Sequence, residues 1–190
     1  MGGGLRAWKG IHARGFPEQL TVFFEQARST AEYLALAAIL EEGMGEFYRQ
    51  IAAEFRDAIA SEMFARLALR EEQHKSELAR IYAYTAGSDA KGEFPFGIVS
   101  ESVDGKFIEG AIPLHEALEW MKGRQIDDVL ELCIALETTS YDRYIVLAQS
   151  VTDPRSRDAV KLLAREERSH IREMTEMFEN LQAEEGEAAN

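Results

Sequence analysis

The sequence has little cysteine and little proline. The single Cys133 excludes an internal disulfide and any metal site built from paired cysteines, and it favours an intracellular, cytoplasmic location. Only 4 prolines interrupt the 190 residues, so long stretches lack the strongest helix breaker. The chain has no apolar run long enough for a membrane span, and its N-terminal MGGGLRAWKGIHARG lacks the apolar core of a signal peptide. We therefore expect neither membrane insertion nor export.

Basic residues are scarce relative to acidic ones. The chain has 21 Lys and Arg against 34 Asp and Glu, which gives a formal net charge of −13. The basic residues form no cluster, so the phosphate backbone of DNA or RNA would be repelled. A nucleic-acid partner is not expected.

The stretches between the prolines have the periodicity of α-helices. Apolar residues recur at steps of three and four among Ala, Leu, Glu, Arg and Met, and runs of β-branched residues are few. The pattern predicts an all-α fold with four long helices over about 29–55, 57–85, 125–151 and 154–181. Asp153-Pro154 is a good start for the last one, because Asp caps a helix and Pro fits its first position.

The remaining segments connect or flank these helices. We expect an N-terminal arm over 1–28 with a short helix in FPEQLTVFFEQA. A long crossover over 86–124 should contain a second short helix in IPLHEALEWMKG. Residues 182–190 are polar and acidic, which predicts a solvated, frayed tail.

An internal repeat relates the two halves of the chain. Residues 17–82 align without gaps on residues 113–178, at an offset of 96, with 14 identities in 66 positions. The fraction is modest, but the identities include every member of one chemical pattern. Each half is a helix hairpin that contains a Glu, a Tyr seven residues later and a Glu-x-x-His, namely Glu41, Tyr48, Glu71 and His74, and Glu137, Tyr144, Glu167 and His170.

These carboxylates and imidazoles occupy the apolar, inward stripes of the predicted helices. Four buried carboxylates would repel one another and would lose their hydration. No Lys or Arg lies on the predicted stripes, so two divalent cations are the expected counter-charge. One Glu from each of two helices and a Glu-x-x-His from each of the other two is the ligand set of di-iron and di-manganese helix bundles.

The helix pairs AILEEGMGEFYRQIA with LREEQH, and CIALETTSYDRYIVLA with REERSH, resemble those of rubrerythrin-like proteins of the ferritin superfamily. The resemblance covers about residues 29–181 and implies a ferritin-like four-helix bundle that binds two Fe ions, with Mn or Zn as possible substitutes. It implies the metal ligands Glu41, Glu71, His74, Glu137, Glu167 and His170. It further implies that Glu71 and Glu167 bridge the metals. The catalytic residues it implies are these two glutamates together with Tyr48 and Tyr144, which would act as hydrogen-bond donors beside the site.

Two departures from the rubrerythrin pattern affect the expected chemistry. Rubrerythrins carry an additional Glu three residues after the ligand of the third helix, where this chain has Ser140. They also carry a rubredoxin domain, which needs cysteines that this chain lacks. Electrons would therefore come from a separate electron-donor protein or from incoming Fe²⁺.

Three functions are compatible with this pattern. The first is an oxidase or peroxidase that reduces O₂ or H₂O₂ at a carboxylate-bridged di-iron centre, with a role in oxidative stress or iron homeostasis. The second is a ferritin-type ferroxidase or iron-storage protein, and the third is a helical interaction module in which metal serves only stability. A homodimer or higher homo-oligomer is expected. We interpret Glu166 as an exposed helix charge and Cys133 as a small core residue.

Overall fold

The computed structural model describes residues 29–86, 93–99 and 106–188, with side chains described as far as residue 183. The N-terminal arm and its predicted short helix lie outside the described residues. Within the described residues, no helix is both long enough and apolar enough to cross a lipid bilayer.

Two long antiparallel hairpins form the protein, as the repeat predicts. The first consists of α1 (Thr30–Glu54) and α2 (Ala58–Ala86), which pack along each other. The second consists of α4 (Ile126–Ser150) and α5 (Pro154–Ala188). Between the hairpins, α2 meets α5 and α1 meets α4, so the all-α four-helix bundle is confirmed.

The helix starts show why the two halves fold alike. Ser29 caps α1, because its hydroxyl accepts from the Glu32 N–H at 3.2 Å. The carboxylate of Asp57 accepts from the Ala60 N–H at 2.7 Å, and that of Asp153 accepts from the Ser156 N–H at 2.7 Å. These two aspartates are equivalent in the repeat, and each supplies the helix start that the sequence predicts.

The last helix is longer than predicted. It continues to Ala188, whereas the sequence pattern placed its end near residue 181 and a frayed tail at 182–190. The segment QAEE after Leu181 is polar, but its residues are good helix formers and it contains no breaker before Gly186. Polarity alone therefore did not mark the end of the helix.

The crossover contains more regular structure than predicted. Its short helix α3 (Leu114–Met121) forms as expected. Before it, β1 (Phe107–Ile108) pairs antiparallel with β2 (Ile112–Pro113), around a 3₁₀ turn at Glu109–Ala111. The strand pair was not predicted, because segments of two residues have no detectable periodicity.

The turn between these strands is held against the bundle. Gly110 has φ 80°, in the left-handed region that glycine adopts readily. The turn contacts both α1 and α4, and β1 packs on α1 at Gly43. The crossover is thus a fixed part of the bundle at these residues.

We predict that Gly43→Ala destabilises the protein by about 2 kcal/mol or more. A Cβ at Gly43 would collide with the Phe107 carbonyl oxygen and lie 2.6 Å from its carbonyl carbon, and backbone atoms cannot rotate away. In an uncrowded helix the same change is stabilising by up to about 1 kcal/mol. Denaturant unfolding at equilibrium measures the difference.

Gly123→Ala is the control for this prediction. Gly123 has φ 71°, and an added Cβ would meet no other atom within 4 Å. The change therefore adds only backbone strain of about 1 kcal/mol. A Gly43→Ala protein as stable as the parent would show that β1 does not pack on α1 as described.

Candidate metal centre

The polar residues that the sequence singles out form one layer inside the bundle. On one side lies an apolar cluster that includes Phe47, Phe64 and Leu132. On the other side lies a second cluster that includes Leu34, Ile81 and Leu163. Between them lie six polar residues, all about 1% exposed or less, namely Glu41, Glu71, His74, Glu137, Glu167 and His170.

These six residues form two overlapping groups. The first cluster consists of Glu41, Glu71, His74 and Glu167, and the second cluster consists of Glu71, Glu137, Glu167 and His170. In each cluster, one ligand atom from every residue lies within 4.8 Å of the others. Glu71 and Glu167 belong to both.

The two shared carboxylates each direct one oxygen toward each histidine. Glu71 Oε2 lies 3.2 Å from His74 Nδ1, and its Oε1 lies 3.5 Å from His170 Nδ1. Glu167 Oε1 lies 3.1 Å from His74 Nδ1, and its Oε2 lies 3.4 Å from His170 Nδ1. Each shared carboxylate thus has one oxygen near the histidine of either cluster, so it could contribute a ligand atom to both clusters.

Two buried tyrosines connect the hairpins. Tyr48 of α1 donates to Oε1 of Glu137 on α4, and Tyr144 of α4 donates to Oε1 of Glu41 on α1. Burial, with the neighbouring carboxylates, raises the pKa of both tyrosines well above the ordinary value. Their hydroxyls therefore stay protonated at neutral pH, and each donates to one oxygen of a glutamate that belongs to a single cluster. We call these two residues, Glu41 and Glu137, the outer glutamates.

Arg143 is a buried cation that the sequence analysis missed. It is 5% exposed, and its Nη2 donates to Glu41 Oε1 at 2.6 Å, Glu109 Oε1 at 2.5 Å and Ser140 Oγ at 2.8 Å. The sequence analysis found no Lys or Arg on the predicted stripes and assigned the counter-charge to metal ions, but Arg143 also contacts one of the carboxylates. One signal existed: the repeat aligns Arg143 with Phe47, a core residue, which places position 143 on the inward side.

Glu109 is a fifth buried carboxylate. The 3₁₀ turn of the crossover presents it to Arg143, outside both repeat units, so no periodicity could have indicated it. Burial raises the pKa of Glu109 to about 7, although the Arg143 guanidinium opposes the shift.

Glu166 is also more than an exposed helix charge. Its side chain is 42% exposed, yet its Oε2 lies 2.9 Å from Nε2 of the buried His74. The sequence analysis interpreted Glu166 as an exposed charge and did not foresee the contact with His74, which arises because Glu166 lies at the edge of α5 nearest α2. Cys133 is fully buried in the apolar core, as predicted.

The carboxylates of the layer differ in acidity. Burial raises the pKa of Glu71 and Glu137 well above the ordinary value, and neighbouring glutamates add to the shift. Burial acts on Glu41 in the same direction, but Arg143 and hydrogen bonds lower its pKa to about 2. Burial also acts to raise the pKa of Glu167, but hydrogen bonds from Glu137 and His170 and the charge of His74 lower it well below the ordinary value. Protons retained by Glu71 and Glu137 therefore reduce the electrostatic repulsion among the carboxylates of the layer.

The donor set fits two divalent metal ions. Four buried side-chain atoms of the layer make no hydrogen bond of suitable geometry, namely Glu71 Oε1, His74 Nδ1, Glu167 Oε1 and His170 Nε2, although His74 Nδ1 and Glu167 Oε1 lie 3.1 Å apart. The first three face the interior of the layer, where a cation would satisfy them. Mixed carboxylate and imidazole ligands suit iron, manganese and zinc.

Comparisons with known proteins agree with this geometry. The sequence model of the family described as Rubrerythrin matches residues 32–177, which include the six residues of the layer and both tyrosines. The fold is similar to that of a Thermotoga maritima protein assigned as ferritin-like diiron-carboxylate, with a TM-score of 0.62 and 22% identity. The match covers 80% of this chain and 95% of that one. No functionally curated protein matches the sequence.

We predict that Glu109 makes the protein less stable as the pH rises from about 4.5 to about 7. The folded protein keeps the Glu109 proton up to about pH 7, whereas the unfolded chain releases it near the ordinary value of 4.5. Stability therefore falls in that interval, by on the order of 3 kcal/mol relative to Glu109→Gln. Urea unfolding of both proteins at several pH values measures this difference.

An exposed glutamate provides the control. Glu116→Gln, on the surface of α3, should change stability with pH as the parent does. If the parent instead gains stability over Glu109→Gln as the pH rises, Glu109 is ionised in the fold and its pairing with Arg143 dominates.

Proposed function

The chain belongs to the rubrerythrin family, and from this premise we propose that its buried layer holds two iron ions and reduces H₂O₂ or O₂. The observation that carries the proposal is the pair of shared carboxylates, Glu71 and Glu167, each with one oxygen toward His74 and one toward His170. In this proposal the first cluster holds one ion and the second cluster holds the other. Mn or Zn could occupy the same ligands.

The charges of the layer support two divalent ions. Four carboxylates carry four negative charges when ionised, and Glu109, once it has lost its proton above about pH 7, offsets the charge of Arg143. Two divalent cations would therefore leave the layer neutral, which matters because burial makes any uncompensated charge costly. Because Glu71 and Glu137 have raised pKa values, metal loading should release protons, and acid should weaken metal binding.

The protein side chains would position the ligands and limit their movement. Tyr144 and Arg143 hold Oε1 of Glu41, and Tyr48 holds Oε1 of Glu137, so the Oε2 atom of each is left for metal. The apolar clusters above and below keep bulk water away. Two bound Fe²⁺ ions would together supply the two electrons that, with two protons, reduce H₂O₂ to two water molecules.

The reductant that restores Fe²⁺ is proposed to be a separate electron-donor protein. The layer contains no cysteine, and Cys133, the one cysteine of the chain, is buried in the apolar core. A homodimer or higher homo-oligomer and a cytoplasmic location complete the proposal.

A ferroxidase or iron-handling role is the second candidate. The observation that favours it is Glu166, which is 42% exposed and contacts the buried His74. A carboxylate that joins the surface to a ligand of the layer would attract Fe²⁺ as a substrate.

An iron-loading experiment separates these functions. Metal-free protein is loaded with Fe²⁺ under nitrogen and then mixed with H₂O₂ or O₂. Saturation at about two irons per chain, with one H₂O₂ consumed per iron pair, supports the peroxidase. Retention of many irons per assembly supports iron storage. A protein that takes up zinc but shows no visible absorption of oxidised iron supports a helical interaction module in which metal serves only stability.

We predict that Glu71→Ala or Glu167→Ala reduces bound metal to at most one ion per chain while the helical fold remains. Each change removes a carboxylate that belongs to both clusters. Metal content after reconstitution gives the stoichiometry, and circular dichroism monitors the helices. Glu72→Ala is the matched control, because Glu72 is the next residue of α2 but is partly exposed and pairs with Lys75. An unchanged stoichiometry in Glu71→Ala would refute the ligand assignment.

A further inference from the structure

We infer that the two metal positions are inequivalent and that the first cluster, which contains Glu41 and His74, binds metal before the second. This inference rests on the proposed function, since it concerns the same pair of ions. The two repeat halves supply equivalent ligands but surround them with different residues.

His74 and His170 differ in the contact made by Nε2, the ring nitrogen that points away from the shared carboxylates. Both direct Nδ1 toward the shared carboxylates. Nε2 of His74 lies 2.9 Å from Glu166 Oε2, whereas Nε2 of His170 has no hydrogen-bond partner. The repeat places Arg70 where Glu166 stands, and a guanidinium has no acceptor for an imidazole N–H.

The contact with Glu166 acts on metal binding through His74. A carboxylate that accepts the outer N–H fixes the ring orientation, selects the tautomer with a free Nδ1 and makes that nitrogen more basic. His170 receives none of these effects from its Nε2. His74 is therefore the better prepared ligand.

The outer glutamates differ in the same sense. Oε1 of Glu41 accepts from both Tyr144 and Arg143, whereas Oε1 of Glu137 accepts from Tyr48. The position equivalent to Arg143 is Phe47, which has no donor. Two donors fix the carboxylate of Glu41 more firmly than one donor fixes that of Glu137.

Charge does not reverse this order. Arg143 alone would disfavour a cation near Glu41, but the Glu109 carboxyl accepts from the same guanidinium nitrogen at 2.5 Å and offsets its charge when ionised. Glu166 then adds one negative charge beside His74. Among the described residues, neither Glu137 nor His170 is hydrogen-bonded to an arginine or to a surface carboxylate.

Outer contacts of this kind typically change metal affinity by about 10–100-fold each. The first cluster should therefore bind at least about tenfold more tightly, which is enough to produce two steps in a titration. Glu166 is a positioning residue in this account, since it would act through His74.

Titration of metal-free protein with Mn²⁺ or Co²⁺ under nitrogen, followed by calorimetry, tests the order. We expect a tight step and a weaker step. Crystals grown with one equivalent of Mn²⁺ should show the main anomalous peak between Glu41 and His74. Glu166→Gln should weaken the tight step by about 10–100-fold and leave the other unchanged.

Arg70→Gln is the matched control, because it changes the equivalent position in the other half, and both steps should remain as in the parent. The double variant Arg143→Met with Glu109→Gln removes the buried ion pair without leaving an unpaired charge, and it should also weaken only the tight step. Thermal unfolding, measured by calorimetry before the titration, verifies that each variant is folded.

The experiment distinguishes a wrong order of filling from a wrong proposed function. Two equal steps in the parent protein, a first Mn²⁺ ion in the second cluster, or a Glu166→Gln change that weakens both steps alike would each overturn the order of filling and leave the metal pair intact. Failure of the parent protein to bind a pair of ions would overturn the proposed function itself.

Discussion

Mutual repulsion among four buried carboxylates is the constraint around which this bundle is built. Each of the four helices interrupts its apolar face to contribute to one polar layer, and two apolar clusters enclose that layer from both sides. Desolvation of so many acidic groups is tolerable only with compensation. The structure supplies part of it through hydroxyl donors, Arg143 and retained protons, and the proposed metal ions supply the rest.

This constraint gives several remote features a common purpose. Gly43 lets the backbone of β1 approach α1, and the turn that follows β1 then brings Glu109 to Arg143. Arg143 in turn contacts Glu41. A connection between two hairpins thus takes part in the electrostatic balance of the interior, and its conformation is coupled to the site.

The symmetric part of the structure could be predicted from the sequence. Helical periodicity and the helix start at Asp153-Pro154 located the long helices, and the repeat selected the six residues of the layer. These features depend on local spacing, which a single sequence displays. The structure brings all six residues together, and both predicted tyrosines donate to carboxylates of the layer.

What the sequence did not reveal are the departures from symmetry. Arg143 precedes Tyr144 on α4 and lies off the predicted apolar stripe, and its alignment with the apolar Phe47 is the one indication of its burial. Glu109 belongs to a segment without periodicity, and its burial follows from where the crossover packs. Glu166 has the helical phase of a surface residue, and only the proximity of α2 and α5 brings it to His74. Each of these contacts depends on tertiary proximity between elements distant in sequence.

The exchange of tyrosine contacts between the hairpins has an evolutionary consequence. Residue pairs that contact reciprocally, as Tyr48 with Glu137 and Tyr144 with Glu41, are what a twofold axis between two identical hairpins would generate. In a dimer of identical hairpins, every substitution would occur twice. Here both hairpins belong to one polypeptide, so each can vary independently, and an arginine occupies one half while its counterpart, Phe47, is apolar.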